Sequence, residues 1–248
     1  MKRYVVIVAV FLLFITPAKA DMIEGYKIIS KSSEESIVVY ARKINDVYQD
    51  FKIEYNGAVL SRPFWINDTN PAFSPKIICE DINDDDKKDL IIILTKGYGT
   101  GVLEQEAHVF HIEKKTIGKE IMEVPIEVLV DNPLAIIKKT VRTTLTKTEA
   151  QISIDDRHFT MDIERLGINP NLFDNIYFGN IITFEVSDNR FIAKIGAQIS
   201  PAGFIGDVVI VYEYRDEMFQ ASHLNFVEAS SPENENKTTS SRSLVELA

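Results

Sequence analysis

Residues 79–94 read CEDINDDDKKDLIIIL, and how this stretch is understood decides the fold. Five aspartates occupy the nine positions from Asp81 to Asp89, and an unbroken apolar run, Leu90 to Leu94, follows at once. The apolar run has the composition of a buried strand. The aspartates before it repel one another and stand against the core that the strand implies. A bound cation is one way to hold such charges together. A solvated acidic turn is the plainer alternative.

The same strand pattern recurs along the chain. YKIIS from Tyr26, SIVVYAR from Ser36, DFKIEYN from Asp50, the segment Ala58 to Trp65, and AHVFHI from Ala107 are short runs rich in Val, Ile, Tyr and Phe, with Asn, Asp and Gly at their ends. In the C-terminal third, NIYFGNIITFEV, NRFIAKIGAQI, GDVVIVYEY and MFQASHLNFV are joined by Ser187-Asp188-Asn189, by the loop Ser200 to Gly206, and by Arg215-Asp216-Glu217. Such short polar connections predict a four-stranded antiparallel meander. Strand side chains repeat every two residues, so Phe191, Ala193, Ile195 and Ala197 share one face. Asn132 followed by Pro133 is a helix start, and the threonines and Val141 that follow favour a strand, so a short helix running into a strand is expected there. Asp155-Asp156 marks a hairpin turn. The fold class is therefore mainly β, built of antiparallel meanders in a propeller-like or β-sandwich arrangement, with at most one or two short helices. The aspartate motif occurs once, so no array of repeats is expected.

At the N-terminus, Lys2 and Arg3 precede a 12-residue apolar run, Tyr4 to Ile15, and then Pro17 and Ala18-Lys19-Ala20. This is the pattern of a secretory signal peptide cleaved after Ala20. The run is too short for a spanning helix, which needs about 20 residues. Residues 1–20 are thus expected to be removed, residues 21–227 to form a single β-rich domain, and residues 228–248, poor in apolar side chains, to be a disordered tail. Localisation is expected to be secreted and extracellular, with no stable membrane anchor. The formal charge is −10 and falls to −13 without Lys2, Arg3 and Lys19. That acidity argues against nucleic acid as a partner. The single cysteine, Cys79, allows no intramolecular disulfide and reads as a small buried hydrophobe.

Numbered from Asp81, the loop places Asp81, Asn83, Asp85, Lys87 and Asp89 at alternate positions. Calcium takes six to eight oxygens from carboxylates, amides and main-chain carbonyls. Asp81, Asn83 and Asp85 would contribute side-chain oxygens, Lys87 its carbonyl with the ammonium in solvent, and Asp89 would close the site. An EF-hand would require an acid at the twelfth position, which is Ile92 here. The D-x-N-x-D-x-x-x-D-L pattern running into a strand resembles the FG-GAP or VCBS-type repeat of integrin-like propellers and many secreted bacterial proteins. That resemblance implies calcium at these five positions. It covers about 15–20 residues. The family usually carries glycine where this chain has Asp84 and Asp86. The longer stretch from Arg62 to Phe110 is also similar to a group of secreted proteins of Bacillus-type bacteria.

Other candidates carry blander readings. Lys96-Gly97-Tyr98-Gly99-Thr100-Gly101 matches no phosphate-binding pattern and reads as an inter-strand loop. His108 and His111 point to opposite faces of a strand, so they are not a zinc pair. Glu104 and Glu106 share a strand face, as paired carboxylates or as an exposed edge. Trp65 beside Asn67 to Asn70 is a sugar platform or, more ordinarily, a core residue. No serine has the setting of a catalytic nucleophile. The sequence thus points to a secreted calcium-binding β-domain protein, a non-catalytic module for an extracellular protein or carbohydrate ligand. A calcium-stabilised hydrolase with an unidentified carboxylate site is the alternative.

Overall fold

The computed structural model describes residues 23–33, 35–165 and 171–229. The signal-peptide segment and residues 230–248 of the expected tail lie outside them. In chain order the strands are β1 (Lys27–Lys31), β2 (Ile37–Ile44), β3 (Val47–Tyr55), β4 (Ala58–Arg62), β5 (Asn67–Asp68), β6 (Lys76–Glu80), β7 (Asp89–Gly99), β8 (Val102–Ile117) and β9 (Glu120–Val130). The one α-helix among the described residues, α1 (Pro133–Thr140), runs directly into β10 (Val141–Leu145), followed by β11 (Glu149–Ile154) and β12 (Arg157–Asp162). The meander β13 (Tyr177–Ser187), β14 (Arg190–Ser200), β15 (Gly203–Arg215) and β16 (Met218–Glu228) completes the fold. Asn132 caps α1, its side chain accepting from the Ala135 amide at 3.0 Å. Asp188-Asn189 and Asp216-Glu217 turn their hairpins with both residues at positive φ, the geometry that matches the twist of paired strands.

The strands form three sheets. The first has the order β1-β2-β3-β4, with β5 also on β3, and the second is β10-β11-β12. The third runs β13-β14-β15-β16-β9-β8-β7-β6 and adds a pairing of β13 with β8. Strand β7 takes one edge of β8. On the opposite edge, residues 109–117 pair with β9 and residues 103–104 pair with β13. The sheet therefore closes on itself through β8, in a ring of β8, β13, β14, β15, β16 and β9. The expected face of Phe191, Ala193, Ile195 and Ala197 is fully buried in the main core, which the helix and the small sheet also join.

Strand β7 lies between two cores. Ile91 and Ile93 face the main one, while Leu90, Ile92 and Leu94 face a second, shared with Ile37, Val39, Phe51, Ile53 and Trp65. The first sheet thus lies face to face with β7 and β8, a sandwich layer over the ring. Three local details depart from the sequence reading. Strand β4 ends at Arg62, because Pro63 has no N–H for the ladder. The glycine-rich stretch is not a loop, since β7 runs through it to Gly99 and the hairpin turns at Thr100-Gly101. Strand β9, which carries three glutamates and is interrupted by Pro125, is not among the strands read from the sequence. Because β7 is buried on both faces, Ile92→Ala and Ile93→Ala should each lower stability by about 2–5 kcal/mol in urea unfolding. A strand buried on one face only would show that cost at one of the two.

Candidate functional site

The loop between β6 and β7 is set by its own aspartates. Asp81 accepts from the amides of Asn83 (3.3 Å), Asp85 (3.3 Å) and Asp86 (2.8 Å). Asn83 Oδ1 accepts from the Asp85 amide at 3.1 Å, and Asp85 Oδ1 from the Lys87 amide at 2.9 Å. Asp84 and Asp86 take positive φ, 59° and 61°. These are the two positions where the resembled repeat has glycine, and aspartate enters this region more readily than most residues. Lys87 is exposed, as expected, yet its Nζ leans back to Asp85 Oδ2 at 3.3 Å.

Asp89 heads β7 with its side chain 3% exposed. Its Oδ2 accepts from the Ile82 amide at 3.2 Å. Burial pushes its pKa up from the usual 3.8 to about 7; the Ile82 bond and the charge of Lys87 oppose the shift, and Asp85 and Asp81 add to it. Among the described residues no lysine or arginine lies within 4 Å of this carboxylate; the nearest basic group is His111, Nε2 to Oδ1 at 3.7 Å. Burial also lowers the pKa of His111, so the imidazole is a poor source of positive charge. His111 Nε2 lies 3.4 Å from Asn83 Nδ2, and its ring meets Tyr214 edge to face at 4.6 Å. The sequence reading missed His111. The strand register brings it there: with Leu90 opposite Phe110, position 89 faces position 111 across the hairpin.

The five sequence-predicted positions thus share one loop. Asp81, Asn83 and Asp85 are joined through its amides, Asp89 closes it, and Lys87 lies exposed at the rim with its amide on Asp85 Oδ1. Among the described residues no group of three or more His, Cys, Asp or Glu side chains is arranged to hold a metal ion. The donor chemistry is all hard oxygen, which suits calcium rather than zinc.

The remaining candidates separate. His108 and His111 do lie on opposite faces. His108 stacks on Trp65 (3.9 Å, 23°) and bonds Glu127 Oε1 at 2.8 Å, while Glu127 Oε2 pairs with Arg62 at 2.8 Å. Trp65 is a core residue packed against Phe51 and Phe110, and its buried ring offers no platform. Glu104 and Glu106 share Lys96, at 3.2 and 3.6 Å, so one lysine offsets part of their charge. Ser153 meets His158 Nδ1 at 2.8 Å on the exposed β11–β12 hairpin. Beside the loop, a cleft of about 790 Å³ has Tyr55, Cys79, Leu90 and Ile112 with Lys88, Lys114 and Glu123 among its lining residues, and Asp89 borders it.

No family model matches the chain, and neither the curated proteins nor the solved structures searched contain a match. The resemblance to the FG-GAP or VCBS-type repeat therefore rests on the loop residues themselves.

Asp89 makes a pH prediction for the protein in the presence of a chelator. Its folded pKa is above the unfolded one, so between pH of about 4 and about 7 the folded state holds more protons. Its contribution to stability is then fullest below that window and is lost as pH rises through it. Asp89→Asn should remove about one proton's worth of slope from the stability profile in this window, read by denaturant melts at fixed pH. Identical slopes in the two proteins would contradict the burial effect.

Proposed function

We propose that the chain is a secreted calcium-binding β protein in which the Asp81–Asp89 loop holds a structural ion, and that it acts as a non-catalytic binding or interaction module at the cell exterior. The observation that carries this reading is Asp89. A carboxylate almost without solvent access, beside Asp81 and Asp85 and with no lysine or arginine within 4 Å among the described residues, is a charge that Lys87 offsets only in part. Asp81, Asn83, Asp85, the Lys87 carbonyl and Asp89 would hold the ion. Its chemistry there is charge neutralisation and cross-linking of the loop to the head of β7. A cation at that position also answers the lack of a disulfide in a chain with one cysteine. The expected ligand of the module is an extracellular protein or carbohydrate. Among the described residues no helix is long and apolar enough to cross a membrane.

One observation favours the hydrolase reading. Asp89, with its raised pKa, borders the 790 Å³ cleft and has the protonation behaviour of a general acid. Its slight exposure weighs toward a structural role.

Thermal unfolding of the purified protein against calcium, with magnesium as the control, tests the proposal. Calcium alone should raise the midpoint, by an amount equivalent to about 2.7 kcal/mol at a hundred times its dissociation constant. Asp85→Ala should abolish the rise. No response to either ion would leave the loop as a solvated turn and sink the calcium reading.

A further inference from the structure

Along the β4 edge, one carboxylate ties the two layers of the sandwich together. Arg62 is the last residue of β4, in the first sheet, while Glu127 lies on β9 and His108 on β8, in the ring. Glu127 uses both oxygens: Oε2 accepts from Arg62 Nε at 2.8 Å, and Oε1 meets His108 Nδ1 at 2.8 Å. A carboxylate only accepts, so Nδ1 is the ring nitrogen that carries the proton. Phe110 stands directly opposite Glu127 in the β8–β9 ladder, and His108 shares its face. Arg62 shares the face of Leu60, which packs on the same core as Phe110. All three polar groups therefore point into the space between the layers.

Aromatic rings join this cluster. Trp65, three residues after Arg62, stacks on His108 at 3.9 Å, and the Arg62 guanidinium lies over the Phe110 ring at 5.3 Å. His108 Nε2 is buried and has no hydrogen-bond partner. The one polar tether of the His108 side chain is thus Glu127. Arg62 has a second bond, to the Ser61 carbonyl at 2.9 Å, but that bond stays within its own strand.

The surroundings of Glu127 set its response to acid. From β4 it meets Arg62 and from β8 His108. On β9 itself the next acid on that face is Glu123, whose ladder partner is Lys114, and β3 brings Tyr55 close to Glu123. Strand β7 turns Leu90, Ile92 and Leu94 toward this core. Burial would raise the Glu127 pKa, but the bonds and charges of His108 and Arg62 outweigh it and hold the carboxyl below its usual 4.5. With the folded pKa below the unfolded one, the contribution of Glu127 to stability is complete above about 4.5 and is lost as pH falls through the folded value. Asp89 responds in the opposite sense, because its folded pKa is raised.

We propose that Glu127 is an acid-released clasp between the layers: on taking up a proton it releases Arg62 and His108, and the β4 edge opens around Trp65 while the ring keeps its fold. A protonated carboxyl carries a donor on one oxygen and no longer accepts from two partners. In acid the imidazole of a histidine donates from both nitrogens, so it cannot take that donor up. Arg62 is then a cation against Phe110 without its counter-charge, and His108 loses its tether. The opening stays local because the main core is a separate cluster that contains neither Trp65 nor Phe110. Strand β4 is also short, five residues, and among the described residues it pairs with β3 alone. Opening would set Trp65 beside Phe64, which is already 92% exposed. The inference is independent of calcium.

Trp65 is the only tryptophan, so its emission and its quenching by acrylamide read the clasp, while far-UV circular dichroism reads the sheets. With chelator present and pH lowered from about 7 to about 3, the wild type should show a red shift before the dichroism changes. Quenching should rise about twofold in the same step. Glu127→Met, which keeps the length of the side chain and accepts neither bond, should show the raised quenching already at neutral pH and lose the early acid step. Arg62→Met should also raise quenching at neutral pH, and it carries the test if the first variant does not fold. Glu123→Gln should behave as the wild type. A Trp65 signal that changes only together with the dichroism overturns the proposal. So does wild-type quenching at neutral pH in the Glu127 and Arg62 variants, or loss of the early step in Glu123→Gln.

Discussion

The burial of β7 on both faces is the constraint on which the rest of the structure depends. Side chains alternate along a strand, so a strand covered on one face needs apolar residues only at every second position. Residues Leu90 to Leu94 are apolar without interruption, and all five are at most 1% exposed. Full burial of such side chains contributes about 1.5–3 kcal/mol each. That demand places the ring and its main core on one side and the first sheet, with Trp65, on the other. Strand β7 is the shared wall of two cores, and the hairpin with β8 carries the ring-closing pairs on its far edge.

A strand enclosed in this way must still begin somewhere, and its first residue is Asp89. The carboxylate sits where the two cores meet solvent, half a strand repeat from Leu90. Its burial and the nearby Asp81 and Asp85 both favour the proton over the charge. The loop meets the problem chiefly with backbone, with Lys87 on Asp85 as the one ion pair within it among the described residues. Amides of residues 82, 83, 85, 86 and 87 are spent on the carboxylates and the Asn83 amide oxygen, and Asp84 and Asp86 take left-handed backbone to present them. Amide dipoles reduce the repulsion without cancelling the charge.

The parts of this architecture that local chemistry dictates were legible in the sequence. Hairpin turns at Asp188-Asn189 and Asp216-Glu217, the Asn132-Pro133 helix start, the face shared by Phe191 to Ala197 and the strand after the aspartates all follow from residue type and period. The contacts made across sheets were not. Lys96 is an extra residue in β7, so the pairing changes from Gly97 opposite Glu104 to Thr95 opposite Gln105. That one-residue slip sets Asp89 opposite His111. Counted back from the Thr100-Gly101 turn without the bulge, Asp89 would face Ile112, and His111 would not reach the loop. No pattern in residues 94–98 announces the bulge. Trp65 was ambiguous for a similar reason. Its place was decided by His108, Phe51 and Phe110, which come from two other strands.

The position of Asp89 also bears on what a cation there can do. A catalytic carboxylate needs room for a substrate and a partner group across from it. Asp89 is tied to the Ile82 amide and walled by Leu90, and neither neighbour is free to move without disturbing β7. What happens to its charge is therefore felt by the strand that both cores share. Neutralisation by a proton or by an ion would act on the whole sandwich rather than on a local reaction. The loop thus acts on the fold at the head of β7, where its aspartates and their amides set the start of the strand that both cores share.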